Sequence, residues 1–241
     1  MSDKKLVIIP TYNEIENIED IISCVFSLEE DFDILIVDDS SPDGTGETVA
    51  DLIPTYSNRL FLEVRSTKNG LGRAYIHGFK WALQKGYDYI FEMDADFSHN
   101  PNDLIKLYRA CKNRADLAVG SRYCQGVNVV NWPMNRVLLS FFASKYVRLI
   151  TGLPINDSTA GFVCFTRKVL EELPLDQVEL VGYGFQIEMK FRAYCKKFKI
   201  VEIPIIFTDR TKGKSKMSGA IISEAVFGVI KMKFMSLLGR L

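Results

Sequence analysis

The sequence has no CxxC pair. Its five cysteines, Cys24, Cys111, Cys124, Cys164 and Cys195, are odd in number and far apart, which argues against a disulfide framework and structural zinc and fits a reducing compartment. Long apolar runs are also missing. The first, LVII at residues 6–9, meets Pro10 after four residues, too short for a signal peptide. No segment approaches the roughly 18 to 20 apolar residues of a membrane-spanning helix, so the chain is not expected to span a bilayer by itself. Charge of one sign is absent as well: 30 Lys plus Arg face 30 Asp plus Glu. That excludes bulk nucleic-acid binding and leaves room only for local basic clusters. Histidine occurs twice, with no Ser/His or Cys/His pairing of the kind that activates a nucleophile. No GxxxxGK precedes a Ser or Thr, which excludes a P-loop, and the stretch Lys68 to Ala74, KNGLGRA, lacks the third glycine of a dinucleotide fingerprint.

What the chain does have is alternation. The short runs LVII (6–9), ILIV (34–37), LFLEV (60–64), YIFEM (89–93) and LAVGS (117–121) are separated by helical patterns, most clearly at 14–28 and 72–86, where apolar residues recur at helical spacing or a glycine closes the segment. This predicts an α/β fold: a Rossmann-like, mostly parallel central sheet with helices on both faces, in a single domain over 1–241. After residue 121 the alternation ends. An apolar helix punctuated by basic residues is expected at 136–150, strand-like GFVCF (161–165) and VEIPIIF (201–207) follow, and a final helix starts near Ser218.

In such a sheet, ligands bind beyond the carboxyl ends of the strands, near the point where strand order reverses. That rule separates two Asp-x-Asp pairs. Asp31 and Asp33 precede ILIV, at the far edge, whereas Asp94 and Asp96 follow YIFEM, on the ligand side. Carboxylates two apart in extended backbone point the same way and can hold a hard cation together with substrate phosphate oxygens. Pro10 to Glu14, PTYNE, and Asp38 to Thr45, DDSSPDGT, end two further strands at the same edge. The arrangement reads as a site for a nucleotide diphosphate with Mg²⁺ or Mn²⁺.

PTYNE, DDSSPDGT, NGLGRA (69–74), DADFSHNP (94–101), GSRY (120–123), STAGF (158–162), GYGFQIEM (182–189) and RTKGKSKMS (210–218) resemble, in order, the motifs of polyprenol-phosphate mannose synthases. These include the dolichol-phosphate mannosyltransferases, inverting glycosyltransferases of family 2 with a GT-A type fold. The resemblance runs from residue 6 to about 218. It implies that Pro10, Tyr12, Glu14, Asp39, Lys68 and Gly72 bind the nucleotide, and that Asp94 and Asp96 bind the metal and the sugar diphosphate. Arg122, Arg136, Ser140, Arg210 and Lys216 match positions that hold donor or acceptor phosphate, Arg122 with a catalytic role. Ser98 is a candidate third metal ligand, although many members carry glutamine there and a serine hydroxyl is a poorer ligand. His99 is assigned no chemistry.

The resemblance divides the chain into a nucleotide-sugar half (1–121), an acceptor half (122–218) and a C-terminal amphipathic helix (219–241). It implies GDP-mannose as donor and a polyprenyl monophosphate as acceptor; UDP-glucose or another donor remains the nearest alternative. A non-catalytic nucleotide-sugar or lipid-phosphate binding module is the alternative of another class. The chemistry agrees with transfer. A phosphate monoester is largely a dianion at neutral pH and needs no base; it needs positive charge, which Arg122, Arg136, Arg210, Lys212, Lys214 and Lys216 offer. A lipid acceptor also requires a membrane edge. Apolar, aromatic and basic residues at 136–150 and 223–241 point to peripheral attachment on the cytoplasmic face of a membrane; some relatives instead rely on a membrane-anchoring partner subunit.

Overall fold

The computed structural model describes residues 3–56, 58–66, 70–180, 182–210 and 219–239, the last of these by backbone alone up to 225. Lys68, expected at the nucleotide, and Lys216, expected at phosphate, lie outside the described residues, as do Lys212 and Lys214.

The apolar runs of the first half become parallel strands: β1 (Lys5–Thr11), β2 (Asp33–Asp38), β3 (Leu60–Val64) and β4 (Tyr89–Glu92). They pair in the order β3-β2-β1-β4, so the chain moves outward from β1 to β3 and then returns to the other side of β1. This reversal places the switch point between β1 and β4, whose carboxyl ends lead into PTYNE and DADFSHNP. The sheet continues through β7 (Val163–Thr166), β5 (Leu117–Ser121) and β8 (Ile200–Pro204), seven strands among the described residues. GFVCF supplies β7, antiparallel to both β4 and β5, so the sheet is mixed while remaining mostly parallel. VEIPIIF divides: Pro204, which has no amide to donate, ends β8. Phe207 and Thr208 then form β9, paired with β6 (Val129–Val130) in a separate ribbon.

The sheet is buried on both faces, which is why its strands read as continuous apolar runs. Alternate residues supply the two cores. Leu6, Ile8 and Ile90 pack under α3 (Leu71–Lys85), α6 (Arg167–Glu172) and α7 (Gly182–Cys195), whereas Val7, Ile9 and Phe91 pack under α1 (Ile18–Phe26), α2 (Thr45–Leu52) and α4 (Asp103–Lys112). Helix α1 turns Ile18, Ile21, Ile22 and Val25 inward. The turn before it is closed by the Asn17 and Ile18 amides on the Glu14 carbonyl, so the helix starts later than the spacing predicts. A third cluster joins α7 to α5 (Met134–Thr151) and α8 (Gly219–Leu237) through Val147, Ile187, Phe191, Val229 and Met232. No described helix is long and apolar enough to cross a membrane.

Candidate functional site

The loops after β1 and β2 are laced together. Asp38 is buried and accepts the Thr11 hydroxyl at 2.7 Å, the Ser41 hydroxyl at 2.6 Å and the Ser41 amide at 2.8 Å. The Asn13 amide donates to the Ser41 hydroxyl and the Glu14 amide to the Thr45 hydroxyl, both at 3.0 Å. Burial would raise the Asp43 carboxyl, but the Thr45 hydroxyl and the amides of Ile15 and Thr45 outweigh it and hold the group below its ordinary value. Pro10, Tyr12 and Glu14 are half-buried and border Asp39, whose amide bonds to the Thr11 carbonyl. The Asp39 carboxylate is gripped from two sides by Arg65, at 2.6 and 3.0 Å. Arg65 was not singled out from the sequence; an arginine just after a strand carries no signal until its partner is known.

Gly72, expected at the nucleotide, opens α3 against α7. A Cβ there would lie 2.8 Å from the Phe185 ring, and the close helix contact accounts for the glycine by itself.

Beyond β4 the chain carries Glu92, Asp94 and Asp96. Ile90 and Glu92 share the face covered by α3 and α7, and the alternation continues: Phe91, Met93 and Ala95 belong to the opposite core. Asp94 is half-buried and Asp96 only 6% exposed. Phe97 takes a left-handed backbone (φ 58°), which folds the chain back so that the Ser98 amide donates to Asp96 Oδ1 at 3.1 Å. Through this amide the structure engages Ser98 with Asp96. The second oxygen, Oδ2, lies 3.0 Å from Arg210 Nη2.

No three His, Cys, Asp or Glu side chains group as a metal site among the described residues; Asp94 and Asp96 are two carboxylates on the turn after β4. That fits a hard divalent cation whose remaining positions go to substrate phosphate and water, and the guanidinium on Asp96 shows the carboxylate taking a cationic partner. Negative charge is concentrated here. Burial first, then Asp94, Glu92 and Asp96, push the Tyr75 phenol well above its ordinary value. Burial pushes the Glu92 carboxyl up to about 8, against the nearby Lys190 ammonium and Gln186 amide. Burial likewise pulls Lys190 down to about 8, against Glu92 and Asp157.

Arg122 follows β5 and is 5% exposed. Its Nε and Nη2 are committed to Asp157 at 2.7 and 2.6 Å, with Thr159 taking a second bond from Nη2, while its backbone amide also donates to Asp157. Burial works against both charges, yet the pairing wins: Arg122 is raised and Asp157 lowered from their ordinary values. Asp157, fully buried, was missed by sequence reasoning, since a lone aspartate before STAGF looks like a turn residue.

Arg136 bonds Asp209 at 2.7 Å and lies over the Trp132 ring at 4.1 Å. Ser140, one turn further along α5, neighbours the Tyr123 phenol. Asp209 and Arg210 thus tie the exit of β9 to α5 on one side and to Asp96 on the other. His99 is buried, stacked on Phe162 at 4.8 Å and met edge-on by Phe207. Burial holds it down near 4, with Asp96 opposing. Its contacts with the Phe162 and Phe207 rings make it a packing group that is neutral at neutral pH.

The family model for glycosyl transferase family 2 matches residues 6–174. The chain is 47% identical over 228 residues to the polyprenol monophosphomannose synthase of Mycolicibacterium smegmatis, covering 95% of this chain and 86% of the relative. It is 45% identical over 226 residues to the undecaprenyl-phosphate mannosyltransferase of Micrococcus luteus, covering 94% and 92%. Against the dolichol-phosphate mannosyltransferase of Pyrococcus furiosus it is 40% identical over 228 residues, 92% of this chain and 61% of that one. Two solved structures are similar in fold alone. One is glucosyl-3-phosphoglycerate synthase from Mycobacterium tuberculosis with Mn²⁺, UDP and glucosyl-3-phosphoglycerate, at TM-score 0.63 and 16% identity, covering 99% of this chain and 80% of that one. The other is a mannosyltransferase from Pyrobaculum calidifontis with GDP-Man and Mn²⁺, at TM-score 0.57 and 15% identity, covering 99% and 75%. With its mixed sheet, switch-point carboxylates and these relatives, the chain belongs to glycosyl transferase family 2, on its polyprenol-phosphate mannosyltransferase branch, and is a glycosyltransferase.

Proposed function

We propose that this enzyme transfers mannose from GDP-mannose to a polyprenyl monophosphate with inversion, giving GDP and a β-linked lipid-phosphate mannose. The observation that supports the reading is the ion pair of Asp96 with Arg210, which brings a basic group expected to bind phosphate onto the carboxylate that follows the switch-point strand β4. The names of the relatives support the sugar and the acceptor, and the GDP-Man and Mn²⁺ of the structural neighbour support the donor and the metal.

In this reading an acceptor phosphate oxygen attacks the anomeric carbon while the bond to the diphosphate oxygen breaks and its electron pair leaves with GDP. The acceptor is largely a dianion, so no base is required. Arg210, Arg136 and Lys216 offset the repulsion between the two phosphates, with Ser140 as a further contact. Arg122, fixed by Asp157, adds a permanent positive charge. Asp94 and Asp96 would hold Mg²⁺ or Mn²⁺, with Ser98 as candidate third ligand, supplying charge to the departing diphosphate. Pro10, Tyr12, Glu14, Asp39 and Lys68 form the nucleotide side, whereas Gly72, also expected there, serves the close contact of α3 with Phe185. We accordingly assign residues 1–121 to the donor, 122–218 to the acceptor and 219–241 to the membrane surface.

Attachment is peripheral in this reading, on the cytoplasmic face. Leu138, Phe142 and Leu149 of α5 and Phe227, Ile230 and Phe234 of α8 are exposed apolar groups on two helices packed together, as expected of elements lying in a lipid interface.

The deciding experiment incubates the protein and Mn²⁺ with polyprenyl phosphate and either radiolabelled GDP-mannose or UDP-glucose, followed by organic extraction. Label from GDP-mannose in the organic phase is expected. Label only from UDP-glucose transfers the reading to the other donor, and label from neither defeats it.

A further inference from the structure

Arg122 and Arg136, both assigned to phosphate, stand on different elements, one just after β5 and the other in the first turn of α5. Each has its own carboxylate, Asp157 and Asp209 respectively. They also share a ring. The Arg136 guanidinium lies 4.1 Å from the centroid of Trp132, and the Arg122 guanidinium lies 5.4 Å from the same centroid. The reaction as written leaves Trp132 without a part.

The ring is itself held. Phe207 of β9 meets it at 5.1 Å and 67°, His99 meets Phe207 edge-on at 5.2 Å, and His99 stacks on Phe162 at 4.8 Å. This column of rings starts at the entry to β7, passes through the segment just after Asp96 and ends on the ring that the two arginines share. Tyr123 and Phe207 add their own rings to Arg122, at 5.2 and 5.5 Å. The Trp132 indole N–H is buried without an acceptor among the described residues. A donor in that state contributes no hydrogen bond, so the arginines use the face of the ring. Indole offers a cation the strongest face of the aromatic side chains.

We propose that Trp132 is a positioning residue: its ring is the common platform that holds the Arg122 and Arg136 guanidiniums at the spacing an acceptor phosphate requires. Two neighbouring cations repel each other, and a contact through the ring face keeps Arg136 in place when it exchanges Asp209 for a phosphate oxygen. The N–H groups of a guanidinium lie in its plane, so a ring against its face does not compete with the anion for them. The identity of that anion rests on the proposed function.

The test compares wild type with Trp132→Leu and Trp132→Phe. It reads the KM of each substrate in the extraction assay, with a short-chain, water-soluble polyprenyl phosphate as acceptor, and the affinity for that phosphate by calorimetry. Trp132→Leu removes the aromatic face and is expected to raise the acceptor KM fivefold or more while the KM for GDP-mannose stays within twofold. Trp132→Phe keeps a face and is expected to hold the acceptor KM within threefold of wild type. A smaller rise in the leucine variant, a parallel rise in the GDP-mannose KM, or a larger rise in the phenylalanine variant overturns the proposal, because a residue that only fills space shows no such split. If Trp132→Leu does not fold, Trp81→Phe makes Trp132 the sole tryptophan, since the chain has two. A change in its emission on adding the short-chain polyprenyl phosphate then upholds the proposal, and no change overturns it. If the wild type transfers no mannose, the proposed function fails separately, and calorimetry decides for Trp132. A fivefold or greater loss of affinity in Trp132→Leu upholds positioning; a smaller loss, or no binding by wild type, overturns it.

Discussion

Arg210 Nη2 lies 3.0 Å from Asp96 Oδ2, joining residues 114 positions apart in the chain. One carboxylate oxygen thus serves a guanidinium in this state and, in the proposed reaction, a metal ion. Two cations near one carboxylate repel each other, so Arg210→Gln is expected to tighten Mn²⁺ binding in the absence of nucleotide by a few-fold while lowering kcat by about tenfold or more, the order of losing a phosphate-binding charge. Asp96→Ala is expected to abolish both, with turnover down by at least about a hundredfold. Mn²⁺ titration followed by electron paramagnetic resonance, beside the extraction assay, checks the pair. Weaker metal binding in Arg210→Gln would refute the competition.

The Arg122–Asp157 pair yields a stability prediction. Asp157→Asn leaves the buried guanidinium without its counter-charge, a change that costs about 3–5 kcal/mol and at this chain length lowers the melting temperature by roughly 6–20 °C. The Asp157 carboxyl sits below its ordinary value of 3.8 in the folded protein. Its stabilisation is therefore fully present above that value and is lost as pH falls through the lowered one. The gap in melting temperature between wild type and Asp157→Asn should be widest near pH 6 and narrow below pH 4; a gap that is flat with pH would refute this account.

How much of this could be read from the chain depends on where the information lies. The parallel strands were legible because residues such as Ile8 and Ile36 sit in strands buried on both faces, and the ligand edge followed from strand direction alone. Helix α7 was legible only as the motif GYGFQIEM. Its polar Gln186, Glu188, Lys190 and Arg192 are all buried, so it has no polar face and no periodicity to detect. Asp157 and Arg65 were hidden for another reason: each is defined by a partner 26 to 35 residues away, and pairing at that distance leaves no local pattern.

Gly72 separates packing from binding. Adding a methyl group places it 2.8 Å from the Phe185 ring, and overpacking of this kind costs typically about 1–3 kcal/mol. Gly72→Ala is expected to melt roughly 2–12 °C lower with GDP affinity unchanged, and Phe185→Leu in the same chain should return part of the loss. Weakened GDP affinity at an unchanged melting temperature would instead assign the glycine to the nucleotide.

The apolar faces of α5 and α8 give the last prediction. Phe142 is 61% and Phe227 72% exposed, so the folded protein in water gains little from either ring. Burying such a side chain in a lipid interface is worth about 1.5–3 kcal/mol, and charge in its place opposes insertion. Phe142→Glu/Phe227→Glu is therefore expected to melt within about 2 °C of wild type, surface changes being nearly neutral, while its partition onto anionic phospholipid vesicles falls by at least about thirtyfold. Activity on a short-chain, water-soluble polyprenyl phosphate should survive, because neither exposed ring is among the residues assigned to phosphate or metal, whereas activity on a long-chain acceptor in vesicles should fall with the partition. Vesicle binding equal to wild type would show that these helices do not form the lipid-facing surface. A parallel loss on the soluble acceptor would place them in the reaction itself.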